Sequence, residues 1–80
     1  MTRLRVLYFA SLRDAAGRDH EDVDTDATEL RALYERQRAV HSFALPVDRV
    51  RVAVDGAFAR WTDAPRAGSE VAFIPPVSGG

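Results

Sequence analysis

The sequence predicts an α+β fold in which a mixed sheet of about five strands carries one main helix packed on one face. Three observations lead to this prediction. Segments in which apolar and polar residues alternate, as in half-buried strands, stand before and after a single helical pattern. The dipeptide Asp55-Gly56, a strong hairpin signal, separates two of these segments. The 80 residues of the chain are enough for one domain and too few for two.

The first part of the chain is predicted to form a strand, a short helix and an edge strand. Residues 3–9 alternate in the manner of a half-buried strand. Residues 11–17 follow as a short helical turn, with Ser11 as the N-terminal cap and Gly17 as the stop signal. Residues 20–24 are acidic, and such charges are typical of an edge strand that does not recruit further strands.

One amphipathic helix is predicted over residues 27–40. Asp26 and Glu29 have the spacing of a capping box, so we expect the helix to begin beside them. Its buried face repeats at the i, i+3, i+4 and i+7 spacing of a helix and comprises Leu30, Leu33, Tyr34 and Gln37. This helix therefore supplies the layer that covers the sheet.

The second part of the chain is predicted to supply three more strands. Residues 50–54 form the first, and Asp55-Gly56 turns the chain into a second over residues 57–62. A turn over residues 65–69 leads to the last strand, residues 70–74. Right-handed crossovers and short connections place the first and last strands side by side and parallel in the middle of the sheet. That arrangement is the ubiquitin-like β-grasp.

Composition excludes several classes of function. Eleven basic and twelve acidic residues give a net charge of −1, so we expect neither nucleic acid nor a membrane as a partner. The chain contains no cysteine, which excludes disulfides, a thiolate nucleophile and thiolate metal sites and fits a reducing compartment. No secretion signal or membrane-spanning segment is visible, so the expected location is cytoplasmic. All eleven basic residues are arginine, so the chain offers no lysine as an acceptor for acylation.

Polar residues give no sign of a metal site or a catalytic group. His20 and His41 are isolated in the sequence, and we interpret both as surface or loop residues. Three acidic residues alternate as in a calcium loop, but the turn glycine and the closing glutamate of such a loop are missing; they are Asp22, Asp24 and Asp26. Four basic residues are predicted on the sheet face away from the helix, where the near-zero net charge favours a solvated surface over a nucleic-acid platform: Arg3, Arg5, Arg49 and Arg51.

Residues 75–80 differ in character from the rest of the chain. Pro75-Pro76 cannot continue a strand, so we expect an arm that leaves the sheet and reaches roughly 20 Å at about 3.3 Å a residue. Gly79 and Gly80 lack Cβ atoms and make its end slender. A terminal Gly-Gly alone also fits a flexible end without function. The apolar, proline-stiffened arm directly after a core strand favours a functional one, so we divide the chain into a β-grasp domain of residues 1–74 and an arm of residues 75–80.

The sequence resembles the small, sulfur-carrying subunit of molybdopterin synthase, within the ubiquitin-like sulfur carriers. The resemblance covers nearly the whole chain and is most specific in VLYFASLRDAAG, residues 6–17, and GSEVAFIPPVSGG, residues 68–80. Related carriers of the thiamine pathway also end in Gly-Gly but usually lack the preceding Pro-Pro. The chain departs from the family at three positions. Asp14 stands where the family often has Glu, Asp55 where Asn is frequent, and Ser69 where Asp is frequent.

The resemblance implies that Gly80 is the reactive residue, with Gly79 beside it. An ATP-dependent activating enzyme would adenylate the Gly80 carboxylate, and a sulfur donor such as a cysteine desulfurase or a rhodanese-type protein would convert it to a thiocarboxylate. The thiocarboxylate would donate sulfur to a pyranopterin inside the large subunit of a heterotetrameric synthase. The chain alone would be a non-catalytic subunit that binds no cofactor stably.

The resemblance also implies where partners bind. Strand alternation directs Leu7, Phe9, Ala72 and Ile74 outward, and Phe58 is expected to join them in an apolar patch at the base of the arm. Family docking residues fall on Phe9, Phe58 and Ile74, while a second small core covered by loops is the competing interpretation. The arm residues that would enter the partner are Pro75, Pro76, Val77 and Ser78. Arg13 is a candidate contact for the activating enzyme, although an exposed structural role suits it equally.

Two further functions remain open. The chain would be a carrier for another pathway, of thiamine or cysteine type, or a ubiquitin-like modifier whose activated Gly80 acylates lysines of target proteins. A third interpretation is an interaction module with an inert tail.

Overall fold

The structure is a computed structural model that describes residues 1–77. It contains one five-stranded mixed sheet in the order β2-β1-β5-β3-β4. The elements follow one another as β1 Thr2–Tyr8, α1 Ala10–Ala16, β2 His20–Thr25, α2 Leu30–His41, a 3-10 turn Val47–Arg49, β3 Arg51–Val54, β4 Ala57–Phe58 and β5 Glu70–Ile74.

The topology of the sheet confirms the predicted α+β fold and the ubiquitin-like β-grasp arrangement. β1 and β5 lie side by side and parallel, with Leu7 opposite Ala72. β2 flanks β1 and β3 flanks β5, both antiparallel, and β4 closes the hairpin with β3. β2 is an edge strand, as its acidic residues indicate.

The core lies between the sheet and α2. Alternate residues of β1, β3 and β5 point toward the helix, and the helix presents the predicted face to them. Aromatic rings fill the centre, where Tyr34 meets Phe73 edge to face at 5.0 Å between ring centroids. The buried apolar side chains are Leu4, Val6, Tyr8, Leu12, Leu30, Leu33, Tyr34, Phe43, Val50, Val52, Val71 and Phe73.

The beginning of α1 differs from the prediction, and its end confirms it. The helix starts at Ala10, so Ser11 lies inside the first turn and is not the cap. Phe9 occupies the cap position without a side-chain hydrogen bond, and Ala10 has a φ of 50°, which turns the chain sharply out of β1. Gly17 adopts the left-handed conformation, and its N–H donates to the carbonyl oxygen of Arg13 at 2.9 Å.

The predicted capping box at the start of α2 is wrong. The helix begins at Leu30, three residues later than expected, and no side chain caps it. The N–H groups of Leu30 and Arg31 instead donate to the carbonyl oxygens of Asp63 and Trp61, at 2.8 and 3.0 Å. A distant loop therefore satisfies the free N–H groups at the start of α2. Residues 26–29, which were expected to cap and begin the helix, form the connection between β2 and α2 instead.

β4 is shorter than predicted, with two residues instead of six. The N–H of Ala59 still donates to the carbonyl oxygen of Val52, at 2.9 Å, but the chain then leaves the sheet. Trp61 turns toward the core, where its Nε1–H donates to the carbonyl oxygen of Val50 at 3.2 Å. Burial of the large indole ring with a satisfied N–H explains why the strand ends early.

Two features are absent from the described part of the chain. Among residues 1–77, no helix has the length and apolarity that crossing a membrane demands. In the same part of the chain, no group of three or more His, Cys, Asp or Glu side chains is placed to hold a metal ion.

Candidate functional site

The outer face of the sheet, opposite α2, carries a row of apolar side chains. Residues that are partners in neighbouring strands share a face, so the register defines the row. Leu7 of β1 lies opposite Ala72 of β5, Ala72 lies opposite Ala53 of β3, and Ala53 lies opposite Phe58 of β4. Phe58 at the edge is 68% exposed. An apolar strip therefore crosses four strands on the side that the helix does not cover.

A second row lies next to this strip, toward the end of β5. Ile74, the last residue of β5, pairs with Arg51 of β3. Phe9 follows β1 directly and is 44% exposed. We call the apolar side chains of both rows the root patch, since they surround the base of the arm. It comprises Leu7, Phe9, Ala53, Phe58, Ala72 and Ile74.

The chain leaves the sheet between two grooves. Beyond Ile74, the residues Pro75, Pro76 and Val77 are outside regular secondary structure, and Val77 is 87% exposed. One groove, of about 520 Å³, lies between these residues and the start of α1 and is almost wholly apolar; its other wall is Phe9, Ala10 and Ser11. The second groove lies toward β3 and carries charge from Asp48, Arg49 and Arg51.

The structure brings together most of the residues that the sequence assigned to partner binding. Phe9, Phe58 and Ile74 meet in the root patch, and Pro75, Pro76 and Val77 continue from it. The patch is open to solvent, so it is not a second core covered by loops. Arg13 is exposed on α1 and lines neither groove. Ser78, Gly79 and Gly80 lie outside the described residues.

Ion pairs dominate the part of the outer face that lies away from the arm. Arg3 pairs with Asp24 at 3.1 Å and Arg5 with Asp22 at 2.9 Å, each between residues opposite one another on β1 and β2. Both pairs are exposed and contribute little to stability. They neutralise the basic side of the sheet, as expected of a solvated face.

Residues 6–80 match the ThiS family. The chain belongs to the ThiS family. The resemblance to ubiquitin-like sulfur carriers seen in the sequence is thereby confirmed, and the match extends through the root patch to Gly80.

Similar proteins fall into two groups by name. The molybdopterin synthase sulfur carrier subunit of Escherichia coli (strain K12) is 32% identical to this ThiS-family chain over 80 residues, covering 96% of the chain and 99% of the relative. A putative molybdopterin converting factor, subunit 1, from Pyrococcus furiosus is 29% identical with a TM-score of 0.79, over 96% and 100% of the two chains. SAMP1 of Haloferax volcanii, a small archaeal modifier protein, is 28% identical with a TM-score of 0.80, over 98% and 99%.

A polar cluster on the inner side of the sheet was missed in the sequence. His41, interpreted there as a surface or loop residue, is only 14% exposed in its side chain and lies 2.6 Å from the Glu21 carboxylate. The Tyr8 hydroxyl donates to the same oxygen at 2.6 Å, and Gln37 donates to the Tyr8 hydroxyl at 2.7 Å. The sequence did contain one sign of this cluster, because Gln37 and His41 are four residues apart and therefore share a helix face. Their partner Glu21 is distant in the sequence.

The Glu21 cluster makes the stability of this ThiS-family domain depend on pH. Burial raises the pKa of Glu21, but the hydrogen bonds from Tyr8 and His41 outweigh it and hold that pKa below its ordinary value of 4.5. A carboxyl group with a lower pKa in the folded state contributes stability above pH 4.5 and loses it as the pH falls through the folded-state pKa. We expect the urea midpoint to fall with acidification below that pH, and Glu21→Gln to flatten this part of the profile.

The exposed Glu35 provides the matched control, because Glu35→Gln also removes one carboxylate. Urea unfolding of the wild type and both variants across the acidic range measures the effect. Profiles of identical shape for Glu21→Gln and Glu35→Gln would show that the cluster does not cause the pH dependence.

Proposed function

We propose that this chain is the sulfur carrier subunit of a molybdopterin synthase and that its Gly80 carboxylate carries the sulfur as a thiocarboxylate. The observation that carries the proposal is the root patch, an exposed apolar surface continuous with Pro75, Pro76 and Val77 in a ThiS-family chain. Apolar surfaces of this kind mark contact sites. The similarity to the sulfur carrier subunit of Escherichia coli supports the choice of pathway.

Carboxylate activation is the first chemical step in this proposal. An ionised carboxylate is a poor electrophile at neutral pH, so an ATP-dependent activating enzyme joins it to AMP and releases pyrophosphate. A donor protein's persulfide attacks the carbonyl carbon, the C–S bond forms and AMP leaves, which gives an acyl disulfide between this chain and the donor. A thiol then reduces the S–S bond, so that the thiocarboxylate is released and the donor sulfur and the thiol are joined in a disulfide. Because the 80 residues include no cysteine, the sulfur comes from a partner and is held on the carboxyl group itself.

Transfer requires that the arm enter the large subunit while the domain remains outside. Residues 75–80 span roughly 20 Å when extended, which is enough to reach a buried site. The root patch would lie against the large subunit and fix where the arm enters. In this division of labour the large subunit supplies the catalytic groups, and the carrier supplies sulfur and a docking surface.

Intact-mass spectrometry tests this proposal. After coexpression with an activating enzyme and a sulfur donor, we expect a gain of about 16 Da, the replacement of one oxygen by sulfur, localised to Gly80 by fragmentation. Incubation with the large subunit and its pyranopterin substrate is expected to reverse the gain. Coexpression without the activating enzyme is the control, and a gain that persists there would contradict the proposed route.

A second candidate function is protein modification, which the similarity to SAMP1 favours. In that case the activated Gly80 would form an amide with a lysine of another protein. The same mass experiment separates the two functions, because finding Gly80 only in amide bonds would reject the sulfur carrier. The chain contains no lysine, so a modifier of this sequence would not form lysine-linked chains with itself.

A further inference from the structure

The three arginines on the outer face of β1 and β3 have different surroundings. Arg3 and Arg5 each form an ion pair with the aspartate opposite on β2. Arg51 lies opposite the apolar Ile74 and takes part in none of the ion pairs formed within residues 1–77. The outer face therefore carries, beside the base of the arm, a cation that this part of the chain does not neutralise.

Phe58 supports the Arg51 side chain. The Cζ atom of Arg51 lies over the Phe58 ring, 5.4 Å from its centroid. A guanidinium that stacks on an aromatic ring is held in position and keeps its planar set of N–H donors for a second partner. The partner that fits such a set is a carboxylate, which accepts two parallel hydrogen bonds. Arg51 is thus prepared for an acidic group that approaches along the sheet surface.

The surroundings of Arg51 combine positive charge with apolar surface. The groove that it lines also contains Arg49 and Asp48, so arginine outnumbers aspartate there. Phe58 and Ile74 line the same groove and belong to the root patch. A partner that covers the patch therefore brings its surface directly over Arg51, where exclusion of water strengthens an ion pair.

We propose that Arg51, stacked on Phe58, is a specificity contact that binds a carboxylate of the large subunit at the edge of the root patch. The inference rests on the proposed function, since the large subunit is the partner that receives the arm. It adds the chemistry of the partner's surface, an Asp or Glu side chain bordering an apolar area. Apolar contact alone provides affinity, and the charge restricts docking to a complementary partner and orientation.

Titration of the full chain against the large subunit from the same organism tests this inference, with calorimetry as the readout. Arg51→Met keeps an unbranched stem on Phe58 without the charge and is expected to weaken binding about tenfold. Arg51→Lys keeps the charge without the planar donors and is expected to weaken it about threefold. Arg36→Glu, an exposed change on α2 at the opposite face, is the control and is expected to leave the affinity within about twofold.

Salt dependence provides a second readout that a purely structural role would not change. Raising the salt from about 50 to about 500 mM is expected to weaken the wild-type complex and to affect the Arg51→Met complex much less. Melting temperatures of the free variants establish that each is folded.

Two outcomes would overturn the inference separately from the proposed function. If Arg51→Met binds as tightly as the wild type, with the same salt dependence, the carboxylate contact is absent although the chain still docks. If the Arg51 variants weaken only a complex with the activating enzyme, the acidic group belongs to that enzyme. Absence of any binding between the wild-type chain and the large subunit would refute both the inference and the proposed function.

Discussion

Removal of Gly80 is expected to abolish sulfur transfer and to leave the melting temperature of the domain within about 2 °C of the wild type. Transfer is lost because the proposed thiocarboxylate would be formed on Gly80, and a chain that ends at Gly79 places its carboxylate one residue, about 3.3 Å, short of the reacting site. Stability is retained because, within residues 1–77, the buried apolar side chains all lie between Leu4 and Phe73.

The measurement combines a coupled synthase assay with thermal unfolding by circular dichroism. Gly80→Ala is the matched variant, since it keeps the length and the carboxylate and adds only a Cβ atom, and we expect it to retain partial transfer. Full activity of the truncated chain would remove Gly80 from the mechanism. A large fall in its melting temperature would instead assign the arm a structural role.

Aspartate substitutions at Phe73 and Ile74 are expected to have opposite consequences, although the two residues are neighbours in β5. Phe73 is completely buried under α2, so Phe73→Asp leaves a cavity and an unpaired charge in the core and is expected to cost more than about 4 kcal/mol. A small domain has little stability in reserve, and we expect no cooperative unfolding transition. Ile74 faces outward in the root patch, so Ile74→Asp is expected to keep the fold.

We expect Ile74→Asp to weaken binding to the large subunit at least about thirtyfold, because the substitution places a charge in an apolar interface. Calorimetric titration measures the affinity, and thermal unfolding confirms that the variant is folded within a few degrees of the wild type. Val40→Asp, at an exposed apolar position on α2, is the control for a charge placed far from the patch. A misfolded Ile74→Asp chain would mean that the two faces of β5 are assigned backwards.

Strand alternation in the sequence was sufficient to predict both faces of the sheet. Val71 and Phe73 point into the core while Ala72 and Ile74 point outward, because successive side chains of a strand take opposite faces whatever the rest of the fold. The hairpin at Asp55-Gly56 was equally local, since both residues adopt the positive φ that the turn demands. The root patch followed from these two patterns together with the strand order.

Long-range contacts explain where the sequence prediction failed. The start of α2 depends on carbonyl groups of Trp61 and Asp63, which the local Asp26 and Glu29 pattern does not reveal. The same α2 carries His41 to within 2.6 Å of the Glu21 carboxylate, a contact between residues that are distant from one another along the chain.

The sequence by itself determined the order of strands and helices along the chain and their buried faces, because each depends on spacing between near neighbours. Only the tertiary structure decided how the start of α2 is satisfied and which charges meet. Arg51 shows the difference, since its stacking on Phe58 and its position opposite Ile74 require three strands to be assembled. Backbone hydrogen bonds and charges are satisfied by whichever groups folding brings within reach, and that proximity is a property of the whole chain.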